Sequence, residues 1–294
     1  MIIVKLIGGL ANQMGIYAAG RALSVQCNVP LKLDLSSLAD NQHRMYELDK
    51  LNIKAEIAMP EEIQQLSRES RFHMIDRIKK SLKKRLHIKN PHIYKETSLV
   101  YDANFLQLSA PVYVLGSFPS LLYYKSIFGL LRNELSIKIS LSRNSQIWLD
   151  KISSTCSVAM HFRRGDYVSN PKATAFHGVL GLRYYEAAVN LMRNKYPQAE
   201  FFVFSDDMEW VKNNITFTGV FHYVDCNNAE NGYQDYWLMR HCRHHIVANS
   251  GFSRWAALLC DYPDQQVIRP ARWTTHELLR DEDIGPSSWI LIDN

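Results

Sequence analysis

No stretch of this 294-residue chain approaches the ~18 continuous apolar residues that a membrane-spanning helix needs. The opening Met1-Ile2-Ile3-Val4-Lys5-Leu6-Ile7 is too short for a signal peptide or a span. Cysteine is scarce: Cys27, Cys156, Cys226, Cys242 and Cys260 lie far apart with no CxxC pair. That pattern excludes a disulfide framework and a zinc ribbon, and it predicts reduced, mostly buried thiols in a cytoplasmic protein. Neither a GxGxxG fingerprint nor a P-loop GxxxxGK(S/T) occurs. There are no repeats and no low-complexity tracts. The charge excess is small, 34 basic against 29 acidic residues, or +5. It suits an anionic ligand and falls short of a dedicated nucleic-acid binder, so no nucleic-acid partner is expected.

What is present is an ordinary folded composition, 47% hydrophobic and 21% charged, with a β-α rhythm. Ile2–Ile7 predicts a buried strand, Asn12–Gln26 a helix and Val29–Leu35 a second strand. Pro60-Glu61-Glu62 is a helix opening. The later half repeats the rhythm. Strands are expected at 157–161, 201–204, 245–248 and 266–269, and helices at 183–196, 207–210, 233–242 and 253–260. Tyr185, Ala188, Val189, Met192 and Tyr196 share one helical stripe, which predicts core. Asp206 and Glu209 have capping-box spacing. The fold class is therefore α/β. Two Rossmann-like, doubly wound units are expected, residues 1–150 and 151–294, with a ligand held in a cleft. Arg77–Leu86 is basic and amphipathic, which predicts a solvated face or, more pointedly, a contact for anionic lipid or a lipid-diphosphate acceptor.

Chemistry gathers at strand ends. Val158–Val168 delivers His161, Arg163, Arg164, Gly165 and Asp166 where open α/β sheets bind ligands. Guanidinium forks grip phosphate with two hydrogen bonds at once, so a diphosphate is the expected anion. In an extended segment His161, Arg163 and Gly165 alternate against Phe162 and Arg164. Arg163 is thus the phosphate ligand, with Arg164 in support or paired internally; a plain Arg–Asp166 salt bridge is the structural alternative. Asp206 and Asp207 follow another strand, where base or ribose contacts are common. Adjacent carboxylates also suit Mg²⁺, but fixed arginines can neutralise a departing diphosphate without metal. Ser253 in Asn249–Ser253 reads as an N-cap or as a phosphate contact at a helix start. Gly8-Gly9 lets backbone approach a ligand, and the amides of Asn12 and Gln13 can reach it. His241, His244 and His245 lack partner ligands and read as packing residues.

Four blocks in order carry a resemblance: Gly8–Met14, His161–Val168, Phe204–Asp207 and Asn249–Ser253. His177-Gly178-Val179, Tyr184-Tyr185 and Leu238-Met239 add to it. Together they resemble the bacterial α-1,2-fucosyltransferases. The resemblance implies a GT-B fold, GDP-fucose as donor, a galactose-terminated or lipid-linked acceptor in an O-antigen-type glycan, inversion, and no metal or other cofactor. It implies that the C-terminal unit holds the donor and the N-terminal unit serves the acceptor. It puts Arg163 on the β-phosphate and His161 with Asp206 or Asp207 near guanine. Ser250, Phe252 and Ser253 line the diphosphate, and Asn12 reaches it. Asp166 is the nearest carboxylate to serve as base, or else orients Arg163. Ala11, Gly15-Ile16, Gly116–Pro119 and Arg254 depart from the family pattern. Those departures leave GDP-colitose as an alternative donor, and a non-catalytic nucleotide-binding or membrane-surface protein as an alternative class.

Overall fold

The computed structural model describes residues 1–39, 45–67, 92–276 and 279–294. The basic segment 77–89 lies outside the described residues. Two compact units divide the chain. One comprises Met1–Leu48, Ile53–Phe118 and Leu122–Ile127, and the other Asp49–Asn52, Pro119–Leu121 and Phe128–Asn294. Phe128–Ser153 thus packs with the second unit, ahead of the boundary expected near residue 150.

The first unit is built on five parallel strands: β1 (Ile2–Lys5), β2 (Leu31–Asp34), β3 (Glu56–Ile57), β4 (Ile93–Lys95) and β5 (Val112–Leu115), in the order β3-β2-β1-β5-β4. Ile2, Ile3 and Val4 are all fully buried, as a central parallel strand covered on both faces requires. The helix Leu10–Cys27 returns the chain to β2 and ends on Asn28 in the left-handed conformation (φ 51°). A Cβ added at Gly20 would come 2.4 Å from Val4, so glycine lets this helix lie close on β1.

The second unit has six parallel strands: β6 (Cys156–Phe162), β7 (Ala199–Ser205), β8 (Val220–Tyr223), β9 (His244–Ile246), β10 (Val267–Pro270) and β11 (Ile290–Ile292). Their order is β8-β7-β6-β9-β10-β11, the 3-2-1-4-5-6 arrangement of a dinucleotide-binding sheet. Strand order reverses between β6 and β9, and ligands bind at such a switch point, beyond the strands' carboxyl ends. The helix Leu182–Lys195 lays Tyr185, Ala188, Val189 and Met192 on Val158, Met160, Phe201 and Val203, as the stripe predicted, with Tyr196 only partly buried at its edge. Each such side chain withdrawn from water contributes roughly 1.5–3 kcal/mol for the larger ones. Of the cysteines only Cys242 and Cys260 are buried; the other three are half-exposed, and all five are free thiols.

Candidate functional site at the β6–β9 switch point

Strand β6 ends at Phe162 and a helix begins at Gly165, so Arg163 and Arg164 form the turn between them and the simple alternation expected there does not hold. The apolar run Cys156–Phe162 pairs with β7 up to Phe162–Ser205, which sets Arg163 beside the Ser205–Asp207 turn. Arg163 bridges two carboxylates, Asp206 at 2.6 Å and Asp166 at 2.5 Å. A guanidinium has five N–H groups, and these pairs use two of them. Arg163 is therefore held in place with N–H groups outside these two pairs. Arg164 turns aside. Its Nε meets Asp207 at 3.0 Å, and its guanidinium stacks 3.4 Å from the Trp210 ring centre. The helix Gly165–Ser169 opens at the glycine because Asp206 presses against it: a Cβ at Gly165 would lie 2.5 Å from Asp206 Oδ2.

The expected Asp206–Glu209 capping box does not form. Asp207 caps Met208–Asn214 by accepting from the Trp210 N–H, while Asp206 accepts from the Arg164 N–H at 2.8 Å. Two adjacent aspartates compete for one cap, and the Arg163 pair claims the first.

Beyond β9 the helix Gly251–Leu258 starts at Ser250, whose Oγ accepts from the Phe252 N–H. Ser250, not Ser253, is the cap. Ser253 instead faces His161, Oγ to Nδ1 at 3.0 Å, and the Phe252 ring lies 5.8 Å from the His161 ring. Burial drives the His161 pKa down to about 4; Asp206 opposes this and Arg163 adds to it. The ring is neutral at pH 7. His161, Arg163, Arg164, Asp166, Asp206, Asp207, Ser250, Phe252 and Ser253 thus gather around the carboxyl ends of β6, β7 and β9, a helix N-terminus among them.

Asn12 belongs to the first unit, exposed in the opening turn of Leu10–Cys27. Its neighbour Gln13 is fully buried and committed. Its Nε2 donates to the Gly8 and Met45 carbonyls at 2.9 and 2.7 Å, and its Oε1 accepts from the Glu47 N–H at 3.0 Å. The expectation that both amides reach a ligand fails for Gln13, because it ties the turn to the segment at Met45–Glu47. The histidines near β9 have separate partners: His241 with the Trp237 carbonyl, His245 with the Met239 carbonyl and Gln265, and His244 with the Gln266 N–H.

Two features carry no short-range sequence signal. Arg254, 5% exposed, donates to the carbonyls of Ile284, Pro119 and Asp283 at 2.5–2.7 Å. Tyr167 stacks face to face on His177, centroids 4.3 Å apart, and its hydroxyl donates to the Asn249 carbonyl at 3.1 Å. Within each unit, departures from the family pattern lie side by side. A Cβ at Gly15 would contact the Ser117 carbonyl at 3.3 Å, and Pro119, two residues on, accepts from Arg254.

A family model described as Glycosyl transferase family 11 matches residues 3–293. The chain belongs to that family. It is a glycosyltransferase of family 11, similar over its whole length to an "Alpha-1,2-colitosyltransferase" of Escherichia coli, 33% identical over 100% of this chain and 99% of the relative. It also resembles the "O-antigen biosynthesis glycosyltransferase WbnK" of Escherichia coli, 40% identical over 40% of this chain and 39% of the relative. The fold is GT-B. A GDP complex of an Arabidopsis thaliana FUT1 mutant superposes with a TM-score of 0.54 at 11% identity, covering 94% of this chain and 71% of that one. Among the described residues no helix is long and apolar enough to cross a membrane.

Proposed function

We propose that this family 11 glycosyltransferase moves L-fucose from GDP-fucose to the 2-hydroxyl of a terminal galactose in an O-antigen-type glycan, with inversion and without a metal ion. The observation that carries this reading is Arg163, fixed between Asp166 and Asp206 at the sheet's switch point with N–H groups to spare. The attacking hydroxyl forms its bond to the anomeric carbon as GDP leaves from the opposite face. Charge then grows on the leaving phosphate and on an oxocarbenium-like sugar. Arg163 and the amides opening Gly251–Leu258 are preplaced donors for that charge, and one such donor is typically worth roughly 100- to 1,000-fold in rate. Ser250, Phe252 and Ser253 line the diphosphate, His161 and Asp206 lie toward guanine, and Asp166 orients Arg163. Arg164 and Asp207 brace the turn, and Asn12 contributes from the first unit, which serves the acceptor.

A second reading exchanges the donor for GDP-colitose, favoured by the full-length similarity to an α-1,2-colitosyltransferase. One assay addresses both readings. Purified protein with a lactose-type acceptor and EDTA is given GDP-fucose or GDP-colitose, and GDP release and deoxyhexose addition are measured. The better donor names the reaction. GDP binding without acceptor-dependent release favours a non-catalytic nucleotide-binding protein, and transfer lost in EDTA overturns the metal-free account. The enzyme is expected to work in the cytoplasm, at the inner membrane face for a lipid-linked acceptor.

A further inference from the structure

Two side-chain atoms near Arg163 are buried and have no hydrogen-bond partner among the described residues: Nδ1 of His177 and Oδ1 of Asn249. They belong to one small assembly. Asn249, 2% exposed, donates its Nδ2 to the His177 carbonyl at 2.8 Å, which settles that its other end is the carbonyl oxygen. Tyr167 links the assembly to the Arg163 turn. It stacks on the His177 ring at an interplanar angle of 5°, and the Arg163 guanidinium lies 5.3 Å from its ring centre.

Orphaned buried polar atoms are rare in folded proteins, and each asks for an explanation. An unpaired lone pair on Nδ1 is a lesser burden than an unpaired N–H, which favours the tautomer protonated on Nε2. Both orphaned atoms are then acceptors on two directly hydrogen-bonded residues, and what satisfies a pair of acceptors is a ligand rich in hydroxyl donors. The groups facing His177 are Arg163 from the turn after β6, Asp166 and Tyr167 from the helix Gly165–Ser169, Phe176 from its own helix, and Asn249 from the loop after β9. Burial lowers its pKa below the usual 6.5; Asp166 opposes this and Arg163 adds to it. The ring is neutral near pH 7, ready to take a proton. Asp166 is already engaged by Arg163.

Resting on the glycosyl-transfer reading above, we propose that His177 is the general base, and that Asn249 Oδ1 accepts a hydrogen bond from a second hydroxyl of the bound acceptor sugar. The acceptor oxygen bonds to the anomeric carbon, and the bond from that carbon to the phosphate oxygen breaks with its electron pair leaving on GDP. The hydroxyl proton passes to His177 Nδ1. The resulting imidazolium lies in the field of Asp166, and the proton is then released to solvent.

The test uses full-length wild type, His177→Gln and His177→Asn. Transfer is followed from pH 5 to 9, GDP affinity by calorimetry, and folding by thermal melting. General bases typically contribute about 100- to 10,000-fold. Both variants are expected to lose kcat by at least about 100-fold, to lose the acidic limb of the kcat profile, and to bind GDP within about twofold of wild type. A folded variant that keeps kcat, or that loses kcat but retains the acidic limb unchanged, overturns the proposal. So does a loss of GDP affinity that matches the loss of kcat. If one variant fails to fold, the other decides. Absence of transfer by the wild type with any GDP-deoxyhexose is a different result, and it overturns the functional reading instead.

Discussion

In both units a parallel strand, β1 or β6, runs through a short connection into a helix, yet the two connections use their polar residues in opposite ways. After β1 the buried amide Gln13 closes on backbone groups of Gly8, Met45 and Glu47. Only Asn12 faces outward there. After β6 the polar residues are arginines and aspartates, and they pair both locally and with the turn after β7: Arg163 with Asp166 three residues on and with Asp206, Arg164 with Asp207. A neutral amide satisfied on all sides holds a loop. An arginine pinned by two carboxylates, with N–H groups outside those pairs, is what the proposed leaving-group role calls for. Likeness of topology does not carry likeness of role; the ionised groups beyond the strand end do.

That contrast can be broken most sharply at Arg163. Arg163→Ala should cut kcat/KM for transfer by roughly 100- to 1,000-fold or more with little change in melting temperature. Near-normal turnover in a folded variant would refute its leaving-group role. Gln13→Ala should do the reverse, lowering unfolding free energy by about 1–3 kcal/mol through stranded backbone groups while GDP affinity holds. Chemical denaturation with calorimetric GDP binding checks both halves of that statement.

Acid should act through the second unit. His161 and His244 are held by burial at about 4 and His245 at about 3, against 6.5 unfolded. The unfolded chain therefore binds more protons than the native one between those values. Stability should be flat near neutrality, fall as pH drops through 6.5 toward 4, and stop changing on this account below about 3, each unit of depression being worth about 1.4 kcal/mol. Urea midpoints measured from pH 7.5 to 4 test this, and a stability that rises on acidification contradicts it. The smallest effect is expected for Asn12→Ala. One neutral hydrogen bond, about 1 kcal/mol, implies roughly a fivefold loss in kcat/KM, and an unchanged value would remove Asn12 from the donor site.

The strands β6 and β7 were legible because each is an apolar run ending in polar residues, and the ligand-facing end of a parallel strand follows from its direction; β9, His-His-Ile, starts one residue before and stops two short of the expected 245–248. Helix starts were harder to read. Asp206 and Asp207 are chemically equal as caps, as are Ser250 and Ser253, and only the partner across the sheet decides between them: Arg163 draws Asp206, and His161 draws Ser253. The Arg254 clamp and the Tyr167–His177–Asn249 assembly are closed by bonds that span 135, 82 and 72 positions, so periodicity and spacing say nothing of them. The departures at Gly15 and Arg254 looked isolated along the chain, whereas in space Gly15 lies beside Ser117 in the first unit and Arg254 bonds Pro119 in the second.

Gly165 makes a quieter kind of experiment available. Its missing methyl is what lets the Asp206 carboxylate sit where it does. Alanine at 165 would leave every charge in the protein intact and press on Asp206, and through it on its Arg163 and Arg164 partners, by displacement. Replacing an aspartate deletes charge and shape together; filling position 165 separates them, and so measures how much of the site's activity depends on where a charge is rather than on its being there.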